Sequence, residues 1–162
     1  MIYKPVEVES MVRYLKGELI SVVEAYDRAG QQVGVMLIGT DEWDDKALPI
    51  IIGSSEMISI KKGLGELDFP RPLSHDLLIE ILETLGAAVE KVTIDAMING
   101  TYTATLYVKD SSGRSHAFDA RPSDAVALAV RSGAPIFVAE TLADLAEDIS
   151  NYISPPSGKV GD

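Results

Sequence analysis

The stretch Asp119-Ala-Arg-Pro-Ser-Asp-Ala-Val-Ala-Leu-Ala-Val-Arg-Ser-Gly-Ala-Pro-Ile-Phe-Val138 narrows the folds open to this chain more than any other. Past Pro122 it is apolar on every side. A helix that is apolar all round belongs inside a protein, not on its surface. Three charged residues, Asp119, Arg121 and Asp124, crowd its mouth. Buried charges need partners, because an unpaired one is strongly destabilising. The block is therefore either a structural ion-pair lock or a functional site.

With 162 residues, of which 46% are apolar, the chain is long enough for one domain with a real core. Residues 1–150 read as that single domain and 151–162 as a flexible tail, from Ser154-Pro-Pro-Ser-Gly onward most plainly. No apolar run approaches the roughly 18 residues of a membrane span. The N-terminus shows no apolar signal core with a cleavage site. There is no cysteine, so disulfides, thiol nucleophiles and Cys-based zinc sites are excluded. A cytoplasmic protein is the expectation. The net charge of −11 repels nucleic-acid phosphate at long range. A nucleic-acid role would need a local basic patch or bridging metal ions. With only His75 and His116, a three-His metal site within one chain is excluded.

Strands are expected over 6–14, 18–27, 32–39 and 48–52. Asp27-Arg-Ala-Gly30 turns between the second and third. Gly39 to Lys46 is an acidic loop holding the only Trp. A helix should start at Ser54 or Ser55, good N-cap residues, and weaken at Gly63 and Gly65. After Phe69-Pro-Arg-Pro72, Ser74 should cap a helix over 75–85. Leu77, Leu78, Ile81, Leu82 and Leu85 line its apolar face. Val92–Ile98 and Thr101–Lys109 alternate around Asn99-Gly100, the signature of a type I′ hairpin. A strand over 114–120, the apolar helix 122–132 and a short strand 136–138 follow. Thr141 and Asp144 resemble a capping box for a last helix, 142–150.

Arg71-Pro72 before a helix that ends at Gly86-Ala87 echoes Arg121-Pro122 before a helix that ends at Gly133-Ala134. The pattern predicts an α+β fold of two β-meander-plus-helix units, with no parallel doubly wound sheet. Its helices should pack against or between mixed or antiparallel sheets, and the buried character of the apolar helix points to a place between them.

Two readings of Asp119, Arg121 and Asp124 stand side by side. In one, they clamp strand to helix. In the other, the two carboxylates hold Mg²⁺ or Mn²⁺ and position a water while Arg121 meets phosphate. Asp124 lies in a first helical turn, where an anion is favoured in either case. His75 and Asp76 share another first turn. His75 is a candidate general base or metal ligand, or an ordinary surface residue near a cap. Glu56 is a capping carboxylate or a metal ligand. Asp41-Glu42 and Asp44-Asp45 read as a solvated run. No phosphate loop of Walker type and no nucleophile elbow occurs.

Taken in order, Leu48-Pro-Ile-Ile-Ile-Gly53, Glu56, Arg71-Pro72, His75-Asp76, Gly86-Ala87, Asp119 to Asp124 and Gly133 to Val138 resemble the bifunctional nuclease domain family. The resemblance covers roughly residues 6–150. It implies a self-associating α+β domain and a nuclease activity on RNA and DNA, attributed to some plant members. The chain departs from the family in having Ile51 where Trp is frequent. Its next helix also reads Met57-Ile-Ser-Ile-Lys-Lys62 rather than Ala-rich.

The leading expectation is a metal-dependent phosphodiesterase that forms a homodimer or larger assembly and is not a membrane protein. Asp119, Asp124, Glu56 or Asp76 would hold Mg²⁺ or Mn²⁺. Arg71 or Arg121 would neutralise phosphate, and His75 would move a proton. The alternatives are a non-catalytic ligand-binding or regulatory module and a small-nucleotide phosphatase.

Overall fold

A computed structural model of the protein describes residues 12–154. The described strands form one eight-stranded sheet in the order β6-β5-β4-β7-β1-β2-β3-β8. The first meander is β1 (Tyr14–Tyr26), β2 (Gln32–Thr40) and β3 (Lys46–Gly53). Between β1 and β2 the Asp27 carboxylate accepts from the N–H groups of Ala29 and Gln31 at 2.9 Å, fixing the turn. Between β2 and β3 the acidic run forms a 3-10 turn over Asp41–Trp43. Thr40 Oγ1 caps it by accepting from Glu42 N–H. The four acidic side chains of this loop are exposed, as expected of a solvated run.

The second meander is β4 (Ala88–Ile98), β5 (Thr101–Lys109) and β6 (Ser115–Ala120). Asn99 and Gly100 both have positive φ, 52° and 79°. That matches the type I′ turn expected of the Asn-Gly pair. The short strand β7 (Ile136–Ala139) joins the two meanders, antiparallel to β1 and parallel to β4. All other pairings are antiparallel, so the fold is α+β with a mixed sheet.

Helix α1 (Ser54–Gly63) follows β3 directly, and helix α3 (Pro122–Ser132) follows β6 after Arg121 alone. These are the two meander-plus-helix units. The echo in the sequence does not superpose on them, because α2 (Ser74–Thr84) is an additional helix. Pro122 is the first residue of α3, where its missing N–H costs nothing, whereas Pro72 lies two residues before α2 begins.

Helix α3 is the centre of the core. Val126, Leu128 and its alanines are buried with Val92, Ile94, Met36 and Ile38. Each large apolar side chain buried there contributes about 1.5–3 kcal/mol. Of the two arrangements expected, packing against a sheet is the one found, and the place between sheets suggested by the apolar composition is not. The helix lies between the sheet, at β4 and β5, and the helices α1 and α2. Gly63 allows the α1 contact: a Cβ there would come within 2.8 Å of Val130 Cγ2.

Three further expectations change. Helix α2 rests on α3 so shallowly that none of its residues is buried. Ile79 and Leu82 touch the core, while Leu77, Leu78, Ile81 and Leu85 stay exposed. The helix expected over 142–150 does not form. A 3-10 turn (Glu140–Leu145), the two-residue strand β8 (Glu147–Asp148) and another 3-10 turn (Ile149–Asn151) replace it. Buried Leu142 anchors the segment, and β8 covers the edge of β3 through Lys46 and Ala47. Closing an open strand edge wins over an exposed helix. Packing also continues past 150. Tyr152 and Ile153 cover Val35, Leu37 and Ala47 on the other face of the sheet. The rest of the expected tail, and most of the strand expected at 6–14, lie outside the described residues.

Candidate functional site

The first turns of the three α-helices among the described residues meet at one cleft of about 390 Å³. Helix α1 contributes Ser55, Glu56 and Ser59, α2 contributes Ser74 and His75, and α3 contributes Asp124 with its N-cap residue Arg121. Helix N-termini carry unsatisfied N–H groups and a partial positive charge of about half a unit each. Here they gather around two carboxylates and one guanidinium.

Arg121 holds Asp124 through two parallel bonds, Nε to Oδ2 at 2.8 Å and Nη2 to Oδ1 at 3.1 Å. Its Nη2 also faces Glu56 Oε2 at 3.5 Å. His75 Nε2 lies 2.9 Å from Asp124 Oδ1. A carboxylate only accepts, so Nε2 carries hydrogen. On the other side of the ring, Ser59 Oγ is 2.6 Å from Nδ1 and receives Arg131 Nη2 at 3.1 Å. The hydroxyl therefore donates to Nδ1. Burial raises the pKa of Asp124, but the hydrogen bonds from Arg121 and His75 and their charges outweigh it and lower it overall. Asp124 stays ionised at neutral pH.

Ser59, His75 and Asp124 thus form a hydroxyl–imidazole–carboxylate chain. It is not a nucleophilic triad, because Ser59 is only 5% exposed. Both ring nitrogens of His75 are committed, which makes it a residue that positions Asp124.

A second cluster lies behind the first. Asp76 receives Arg131 Nε at 2.7 Å, Lys62 Nζ at 2.7 Å and the N–H of Leu73 at 2.7 Å. Burial raises its pKa, yet these bonds outweigh that and hold it well below the usual carboxylate range. The Leu73 bond caps α2, so Asp76 does what Ser74 was expected to do. Arg131 also reaches the carbonyls of Ala127 and Ser59. It staples all three helices together.

The structure brings Glu56, His75, Arg121 and Asp124 together and leaves out Asp119, Asp76 and Arg71. In the sheet Asp119 stands opposite Thr105, while its neighbours Phe118 and Ala120 stand opposite Leu106 and Ala104 in the core. Side chains alternate along a strand, so Asp119 points away from the face that carries α3. The expected Asp119–Asp124 metal pair is corrected on this ground. Asp76 is taken by two cations, and exposed Arg71 lies in the loop before α2, outside the cleft. The donors as arranged do not fit Mg²⁺ or Mn²⁺. Both oxygens of Asp124 are engaged, Glu56 faces a guanidinium, and no group of three His, Asp or Glu among the described residues is placed to hold an ion.

Ser59 and Arg131 were not singled out from the sequence. Both were legible in the spacing: Ser59 is three residues past Glu56, and Arg131 is seven past Asp124, each on the same helix face as that candidate residue.

No helix among the described residues is long and apolar enough to cross a membrane. Residues 35–150 match the bifunctional nuclease domain profile. An uncharacterized protein of Mycobacterium tuberculosis is 40% identical over 98 residues, 60% of this chain and 57% of that one. Bifunctional nuclease 1 of Oryza sativa subsp. japonica is 29% identical over 110 residues, 67% of this chain and 33% of that one. Bifunctional nuclease 2 of Arabidopsis thaliana is 30% identical over 98 residues, 59% of this chain and 30% of that one. The matched part spans just over half of the mycobacterial relative and about a third of the plant ones. With most of its sheet and all three helices inside the matched region, the chain belongs to the bifunctional nuclease domain family.

Proposed function

We propose that the protein is a nuclease that hydrolyses phosphodiester bonds of RNA or DNA in this cleft. The observation that carries the reading is the convergence of Glu56, His75, Arg121 and Asp124 from three separate helix first turns. The names of the plant relatives support it. In this scheme Arg121 neutralises the phosphate, aided by the helix N-termini. Glu56 has one oxygen, Oε1, with no hydrogen-bond partner among the described residues, and acts as general base. The attacking water gives its proton to Glu56 as its oxygen bonds to phosphorus. The ester P–O bond breaks, and the leaving oxygen takes a proton from solvent. Ser59, His75 and Asp124 hold Arg121 in place.

No step of this scheme runs through a metal ion. Dependence on Mg²⁺ or Mn²⁺ remains a separate proposal from the sequence, so the test includes both ions and an EDTA arm. Purified protein is incubated with single-stranded RNA, single-stranded DNA and mononucleotides. Cleavage of the polymers that is lost in Glu56→Gln and Arg121→Ala is the expected result. Full activity in both variants would overturn the site. Hydrolysis of mononucleotides alone would move the reading to a small-nucleotide phosphatase, which suits the acidic chain.

One observation favours a non-catalytic binding or regulatory module instead: the bonds of His75 and Asp124 are all met inside the protein. The absence of cleavage under every condition would favour it. A cytoplasmic setting and self-association belong to the same proposal. The exposed side chains of α2, and Phe118 on the edge strand β6, are the apolar surface that supports association. Light scattering that gives a monomer near 17.4 kDa would refute it.

A further inference from the structure

Beside the cleft runs a second groove of about 550 Å³, between β3, the tip of the β4–β5 hairpin and the first turn of α3. Among the described residues Arg121 is the one that lines both. We infer that this groove binds a nucleoside monophosphate unit, its base against Tyr102, Met97 and Ile51 and its phosphate on the N-terminus of α3. The inference rests on the nuclease reading for the substrate class alone.

The phosphate end is built from three features. Among the described residues no side chain caps α3, and its first intrahelical bond is from Ala125 N–H to Arg121 O. The N–H groups of Ser123 and Asp124 come before that bond and are the orphan donors of a helix start. Ser123 is only 5% exposed, yet its hydroxyl has no hydrogen-bond partner among the described residues. None of their fully enclosed side-chain polar atoms lacks a partner, so this hydroxyl opens to the groove it lines. Open to the groove and bonded to no described residue, the hydroxyl is free to donate to a phosphate oxygen. Arg121 spends Nε and Nη2 on Asp124 and Glu56 and has no partner for Nη1 among the described residues.

The base end is apolar. Ile51 is 73% exposed on β3 and stands bare beside the groove. Tyr102 is partly buried and packs on the core. Burial first, and then the charge of Glu147, which also lines the groove, raise its phenol pKa and keep the ring neutral. A flat aromatic beside an apolar wall accepts any unstacked base. The volume lies in the range that takes small organic ligands. One phosphate at one helix end also suits a chain too acidic to track a long backbone.

The test is a titration of the full chain, without metal, followed by NMR shifts of the Ser123 and Tyr102 amides. The probes are 5′-AMP, adenosine, ribose 5-phosphate, inorganic phosphate and a 5′-phosphorylated single-stranded tetranucleotide. AMP should bind on the order of tenfold more tightly than ribose 5-phosphate, the lower end of what base–aromatic stacking gives. Ser123→Ala should weaken every phosphate probe alike. Ile51→Asp, at an exposed position, should abolish the advantage of AMP over ribose 5-phosphate, and Tyr102→Leu should do so while keeping the core filled. Tighter binding of the tetranucleotide than of AMP assigns the groove to a strand end, and the reverse assigns it to a free nucleotide. Equal affinity for AMP and inorganic phosphate, no saturable binding, or an AMP preference untouched in Ile51→Asp and Tyr102→Leu would overturn the inference. Binding is read without turnover. AMP binding with no cleavage by the enzyme would defeat the nuclease reading and leave the groove standing; cleavage with no AMP binding would do the opposite.

Discussion

Helix α3 carries two arginine–aspartate pairs, one at each end, and solvent treats them differently. At the N-terminal end the Arg121 side chain is 64% exposed and holds Asp124 at the mouth of a cleft. At the C-terminal end the Arg131 side chain is 6% exposed and holds Asp76 in the joint of three helices. An exposed pair is screened and contributes about 0–1 kcal/mol. Breaking a buried one strands the remaining charge. Similar chemistry therefore yields a group free to meet a ligand at one end and a structural staple at the other.

The largest effect that tests this contrast is on stability. Arg131→Ala should cost about 1.5–3 kcal/mol in urea denaturation, because Asp76 loses the guanidinium and keeps only Lys62 and a backbone N–H. Arg121→Ala should cost no more than about 1 kcal/mol. Equal losses would erase the distinction. Arg121→Ala should instead lower cleavage of single-stranded RNA about 100-fold, as the loss of a preorganised charge-stabilising group does.

A subtler break is available at Gly53. A Cβ there would run into Glu56 Oε1. Gly53→Ala should push Glu56 out of place and reduce turnover about tenfold, less than a full 1 Å misplacement costs. Stability should change little, so melting and turnover measured together separate the two.

Acid sharpens the contrast from the other side. The pKa of Asp76 is held well below its unfolded value, with the Asp124 pKa shifted the same way. The unfolded chain then binds protons first as pH falls. The stability from these pairs is fully present above about pH 4, the unfolded carboxylate value, and is lost as pH drops through the lower native ones. Melting temperature measured from pH 7 to pH 2 should fall below pH 4, and less steeply in Arg131→Ala. The smallest effect is expected from Asp119→Asn, which should change stability by less than about 0.5 kcal/mol and leave cleavage unaltered. A large loss of cleavage would return Asp119 to the site.

The meanders, the Asn99-Gly100 hairpin and the buried course of α3 follow from patterns a few residues long. Alternation has period two and helical faces a period near 3.6, and both are written in neighbouring residues. Membership of an α+β fold with two meander-plus-helix units was legible for the same reason. Part of the site was legible too. Glu56, His75 and Asp124 were named from their places at helix starts, where charge has a local meaning, and Arg121 from its place just before a helix, within reach of a carboxylate.

What the sequence alone left open depends on distance along the chain. His75 meets Asp124 across 49 positions, Glu56 meets Arg121 across 65, and Ser59 meets Arg131 across 72. No local period encodes such contacts. The sheet decided that Asp119 points away from Asp124, because the register with Thr105 sets its face. Tertiary packing decided that α2 keeps Leu77, Leu78 and Ile81 exposed. It also decided that residues 147–148 close a strand edge instead of continuing a helix. In each case a local preference worth a few tenths of a kcal/mol to about 1 kcal/mol per residue yielded to burial, edge closure or charge pairing.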